Sequence, residues 1–152
     1  MQFRLPLLTF LTIPSLAAAA VMSTFASTEW TLQGLYRVCD SEDTSCTWTF
    51  RINTNEAGVD VTPCLYVVYS LMNGTNSTIP ASQADGGPTT CGAFNITSGW
   101  SDQFGADQGF TTLSVVDYVN MLIVWAGYTD AIVANEALVS PDLSFPVQML
   151  PM

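Results

Sequence analysis

Asp102 and Asp107 lie close together in the segment Trp100–Gly109, with Asp117 beyond. Two carboxylates beside an aromatic ring are the residue types that cleave glycosidic bonds. Such a pair needs a cleft and a separation of about 5 Å or about 7–9 Å, which spacing in sequence does not guarantee. The plainer expectation is that both are turn residues whose carboxylates accept backbone N–H bonds. Asp40, Glu42 and Asp43 form a second acidic group, between Cys39 and Cys46. Calcium takes about six to eight oxygen ligands, more than this short loop supplies, so the reading is a solvated hairpin tip or a receptor-facing epitope. Trp100, in Ser98-Gly99-Trp100-Ser101-Asp102, is the third candidate, because an exposed indole stacks on sugar rings. A ring tucked over the end of the fold is the expected arrangement, and Trp30, Trp48 and Trp125 read as core.

Missing residue types exclude much chemistry. The chain has no histidine and no lysine, so Ser-His-Asp and Cys-His catalysis, His-bound zinc, Schiff bases and a P-loop lysine are ruled out. Beyond Arg4, the cations are Arg37 and Arg51, against thirteen acids. A surface so poor in cations cannot neutralise nucleic-acid phosphates and is not drawn to anionic lipid heads. No catalytic residue, cofactor or metal is expected, and the chain is expected to be non-enzymatic.

Cys39, Cys46, Cys64 and Cys91 are an even count, and two disulfides are the default in an oxidising compartment. Three connectivities are open. The favoured one joins Cys39 to Cys46, across the mouth of a hairpin, and Cys64 to Cys91. On the chain-entropy view the short loop contributes about 2.5 kcal/mol and the longer one about 3.6 kcal/mol. Zinc is disfavoured, since no C-x-x-C spacing occurs.

The elements that must position these residues are strands. In Glu29 to Val38 the apolar groups fall on Trp30, Leu32, Tyr36 and Val38. In Thr47 to Asn53, Trp48, Phe50 and Ile52 share one face and Thr47, Thr49 and Arg51 the other. Cys64 to Met72, Gly92 to Ser98, Phe110 to Asp117 and Tyr118 to Ala126 read as further strands, the last apolar on both faces and so central or sandwiched. Asn73 to Thr90, with Gly74, Pro80, Gly86, Gly87 and Pro88, reads as a long mobile loop, and Trp100 to Gly109 as a glycine-rich turn. Thr129 to Leu138 fits a short helix or an edge strand. The expected fold is all-β, a single-domain barrel or sandwich stapled by two disulfides.

Met1 to Ala20 carries Arg4, an apolar run from Leu5 to Leu16 and the small residues Ala17 to Ala20. This is the pattern of a cleaved secretory signal peptide, leaving a secreted domain over residues 21–152, and it is too short for a membrane span. No integral membrane segment is expected in the mature chain. Asn73, Asn76 and Asn95 head N-x-T or N-x-S/T sequons, the first two in the predicted loop and Asn95 on the outer face of its strand.

The block from Cys91 to Asp117, CGAFNITSGWSDQFGADQGFTTLSVVD, together with Leu122-Ile-Val-Trp-Ala-Gly-Tyr-Thr-Asp130, resembles small secreted proteins of filamentous fungi. Within these it is most similar to the hypersensitive-response-inducing elicitors of plant pathogens; Trp48-Thr-Phe and Thr62-Pro-Cys-Leu-Tyr-Val-Val68 fit the same pattern. The resemblance implies a secreted effector or elicitor, extracellular in apoplast or cell wall, that plant cells detect with defence responses and local cell death. The implied partner is a plant cell-surface or apoplastic protein; separately, the chain is expected to be a monomer. It implies no catalytic residue. The alternative reading is an extracellular polysaccharide-binding module acting at the cell wall. Recognition is expected on loops held by a rigid scaffold: Cys39–Cys46, Asn73–Thr90 and Trp100–Gly109.

Overall fold

Strand-forming alternation runs through almost the whole of the region that the computed structural model describes, residues 29–74 and 76–151. The proposed signal peptide, Met1 to Ala20, lies outside these residues. Ten strands form in chain order: β1 Glu29–Cys39, β2 Ser45–Asn53, β3 Thr62–Tyr69, β4 Leu71–Met72, β5 Thr78–Ile79, β6 Gly86–Cys91, β7 Phe94–Ser101, β8 Phe110–Asp117, β9 Leu122–Thr129 and β10 Leu143–Met149. Two short 3₁₀ turns, Ala81–Gln83 and Ala134–Glu136, interrupt the connections. No helix among the described residues is long and apolar enough to cross a membrane.

Eight strands make one sheet in the order β3-β2-β1-β10-β9-β8-β7-β6, every neighbouring pair antiparallel; β4 and β5 pair as a separate small hairpin. The sheet curls until its ends, β3 and β6, lie side by side, where the Cys64–Cys91 disulfide joins them. The result is an all-β, nearly closed barrel. The second bridge is Cys39–Cys46, across the paired ends of β1 and β2. The favoured connectivity is therefore the one present.

Inward-facing side chains fill the barrel: Trp30, Leu32, Trp48, Phe50, Ile52, Tyr66, Ile96, Leu113, Val115, Val124 and Tyr128 are all 2% exposed or less. Aromatic edges order the packing, with Trp30 against Phe94 at 5.2 Å and Tyr128 against Phe145 at 5.7 Å between ring centroids.

Four expectations are corrected. First, the register of β1 slips between Gln33 and Tyr36, with Gly34 at φ 60° in the left-handed region. This bulge turns Leu35 and Arg37 inward, so Tyr36 and Val38 leave the face shared by Trp30 and Leu32. Second, the strand expected from Tyr118 begins at Leu122. The Asp117 carboxylate accepts the Val119 and Asn120 N–H groups and closes a turn there, and Met121 takes φ 55°. Third, Asn73 to Thr90 is not one long loop, because it contains β5, a 3₁₀ turn and β6. Its proline is tolerated because β6 ends the sheet order. Fourth, Thr129 to Leu138 is neither a helix nor an edge strand but a turn and a 3₁₀ segment carrying buried Val133. Strand β10, which the sequence reading leaves unassigned, completes the sheet between β1 and β9.

Candidate functional site

Alternating strand direction decides which loops meet. The connections between β1 and β2, β3 and β6, β7 and β8, and β9 and β10 all open at the same end of the barrel. The predicted loops Cys39–Cys46 and Trp100–Gly109 thus converge there with the part of Asn73–Thr90 that precedes β6. Nine of the thirteen acids lie in these four connections.

Arg37 anchors this end from inside. It is 9% exposed, and its guanidinium lies 5.3 Å from the centre of the Trp48 ring. Its Nη1 donates to Asp130 Oδ1 at 3.3 Å and to the Ser82 carbonyl at 3.4 Å. The other oxygen of Asp130 accepts the Trp100 indole N–H at 2.9 Å, and the Asp130 backbone N–H donates to the Gly109 carbonyl. Asp43 brings in the remaining connection: its carboxylate accepts the Ser82 N–H at 2.8 Å and hydroxyl at 2.5 Å, and its carbonyl accepts the Ala81 N–H. Through Arg37, Asp130, Ser82 and Asp43, all four connections are tied into one polar network. Beside it is a small open pocket of about 300 Å³ whose walls include Arg37, Asp40, Asp43 and Glu136.

Asp40 organises the hairpin tip. One oxygen accepts the Glu42 and Thr44 N–H groups, the other the Thr44 and Ser45 hydroxyls and the Ser45 N–H, at 2.7–3.1 Å. These bonds, the Thr44 hydroxyl foremost, hold the carboxyl well below the usual carboxylate range. Of the three predicted acids, Asp40 and Asp43 are thus occupied with shaping the tip, and Glu42 stands exposed. Cys39, Asp43 and Cys46 lie together, but the sulfurs are bonded to each other and offer no thiolate to a metal.

Trp100 sits on β7, partly buried, with its ring over Gly109 and its N–H committed to Asp130. Asp102 and Asp107 are exposed in the β7–β8 connection; the Asp102 carbonyl, rather than its carboxylate, accepts the Gly105 N–H. Asn73 and Asn76 are exposed in the β4–β5 hairpin, and Asn95 is half-buried on β7 opposite Thr90 and Val116. Trp125 is 53% exposed on the outside of β9, which corrects its reading as core. Its neighbours Ile123 and Gly127 on the same face resemble those of a buried strand, so the local pattern carries no signal for this exposure. A groove of about 770 Å³ runs outside the barrel past Gln33, Arg51, Leu65 and Gly92, and no carboxylate lines it.

The chain is thus a small antiparallel barrel, bridged by two disulfides, with four interlocked acidic connections at one end. The family model described as Effector TSP1 matches residues 31–150. A protein named Effector TSP1 from Hypocrea virens (strain Gv29-8 / FGSC 10586) is 49% identical over 123 residues, covering 81% of this chain and 78% of that protein. The chain belongs to the Effector TSP1 family, and the resemblance to fungal effectors read from the sequence holds.

Proposed function

We propose that this protein is a secreted, non-enzymatic effector that plant cells recognise from outside, answering with defence responses and hypersensitive cell death. The observation that carries the reading is the tying of four connections into one rigid end through Arg37, Asp130, Ser82 and Asp43. A preorganised loop surface suits recognition by another protein because little ordering is left to lose on binding. Membership of an effector family and two disulfides, at home in an oxidising exterior, agree with it. The exposed acids Glu42, Asp102 and Asp107 at this end suit a partner with a cationic surface.

Leaf infiltration of purified protein tests the reading, comparing the folded chain, the reduced and alkylated chain, and a folded Glu42→Lys, Asp102→Lys, Asp107→Lys variant. Cell death from the folded wild type alone is the expected result. Equal activity in the alkylated chain moves recognition to a linear segment, and silence from all three overturns the elicitor reading.

A further inference from the structure

A second surface runs down the barrel wall from the acidic end. Strands β6 to β10 hold one charged residue, Asp117, and it is buried. No strand residue on the outside of β7, β8 and β9 is charged, in a chain with thirteen acids, and the one carboxylate placed against that face is Asp85, which accepts the Trp100 backbone N–H at 3.0 Å. Two aromatic platforms stand on this face. Trp125 is 53% exposed, and in the register it neighbours Ser114, which in turn neighbours Thr97. Phe104, 71% exposed, stacks on Phe110 at 5.6 Å between ring centroids with planes 27° apart. Four residues of strand separate the Phe110 and Trp125 positions, a distance of about 14 Å and the length of a short oligosaccharide.

Between the platforms, Gly99, Thr112 and Gly127 face each other across the three strands. Glycine weakens a strand interior, and here neither backbone nor packing calls for it. Neither residue has a positive φ; a Cβ on Gly127 would meet open space, and one on Gly99 would make an ordinary contact, at 3.7 Å, with the Asp85 carboxylate that edges the trough. The absence of side chains at these positions leaves the backbone and the Thr112 hydroxyl open to a flat ligand between two rings.

We propose that the outer face of β7–β9 binds a neutral, extended polysaccharide of the β-linked cell-wall type, with Trp125 and the Phe104–Phe110 pair stacking on its sugar rings. Stacking aromatics select sugar rings, and a face with no cation, edged by the Asp85 carboxylate, disfavours an anionic polymer. The site meets the loop end at Phe104, in the β7–β8 connection, but does not rest on the elicitor reading. Trp100, the indole first in view from the sequence, is not part of it, since its N–H is taken by Asp130.

The test is retention of the folded protein, freed of N-glycans because Asn95 lies on the same face, on insoluble cellulose, chitin and β-1,3-glucan. Wild type is expected to be retained by at least one of them. Trp125→Ala should weaken that retention about tenfold. Gly127→Val should weaken it comparably with no loss of melting temperature, which separates filling of the trough from damage to the fold. The proposal is overturned if wild type ignores all three polysaccharides, or if both variants are retained like wild type. It fails equally if wild type ignores them and sediments as a dimer that Trp125→Ala dissociates, because a second copy then covers the face.

Discussion

Cys64 and Cys91 are bonded between β3 and β6, the two ends of the hydrogen-bonded strand order. The same seam is tied again by the Tyr66 hydroxyl, 2.9 Å from Ser98 Oγ, which also accepts the Gly86 N–H at 3.1 Å. A Cβ on Gly86 would overlap the Tyr66 ring, so the strands meet there only because the residue is glycine. Where a continuous ladder would close the barrel, a covalent bond and a buried hydroxyl pair do so instead.

The two disulfides should therefore differ in weight. Cys39–Cys46 spans 7 residues within a hairpin already paired, whereas Cys64–Cys91 spans 27 and holds the seam. Replacing Cys64 and Cys91 by alanine is expected to cost about 3.6 kcal/mol, against about 2.5 kcal/mol for the other pair. Thermal melts should show a drop well above 5 °C for the seam bridge. A fully reduced chain that melts like the oxidised one overturns a structural role for both.

Tyr128 carries a buried hydroxyl that has no hydrogen-bond partner among the described residues. Burial pushes its ionisation well above the usual tyrosine range, with Asp142 adding to the effect. Tyr128→Phe removes the orphan group and keeps the ring contacts to Trp48 and Phe145. Stability should rise by up to about 1 kcal/mol in denaturant titration. A clear loss would mean that the hydroxyl is satisfied in solution.

Asp130 is the hinge of the polar network, 3.3 Å from Arg37 and bonded to Trp100. Asp130→Asn should cost about 2 kcal/mol, less than a fully buried pair because the Asp130 side chain is 34% exposed. Arg37→Met combined with it should recover part of the loss, since no buried cation is then left unpaired. Strict additivity of the two single changes would deny the coupling.

Asp40 gives a pH signature. Its folded carboxyl lies below its ordinary value, which is about 4 in the unfolded chain, so its contribution is complete above that value. It fades as pH falls from there toward the folded value. The gap in melting temperature between wild type and Asp40→Asn should be constant above about pH 5 and shrink only below about pH 4. A gap that closes near neutrality would assign the effect to another group.

Much of the fold was legible because strand alternation is a local property. Trp48, Phe50 and Ile52 announced the inner face of β2, and β8 occupies Phe110–Asp117 as read. Strand β6 was not legible, because Gly86, Gly87 and Pro88 carry turn chemistry, and only a position at the end of the sheet order makes them a strand. At the candidate site the loops were found, but the residues that lock them were not. Arg37 and Asp130 are 93 positions apart in the chain, and no spacing rule connects them.

The sequence by itself determined the strand class, the expectation of two disulfides, the sparse cations and the exposed turns Asp40–Thr44 and Asp102–Gln108, since each follows from residue type and near neighbours. Tertiary structure alone decided which face residues take past an irregularity, and which outer faces stay open. One bulge at Gly34 turned Arg37 into the barrel and Tyr36 out of it, and sheet curvature left Trp125 on an open outer face although its strand is apolar. Side chains in a strand alternate with a period of two, so a single extra residue reverses every assignment beyond it, and that residue is settled only by the pairing of distant strands.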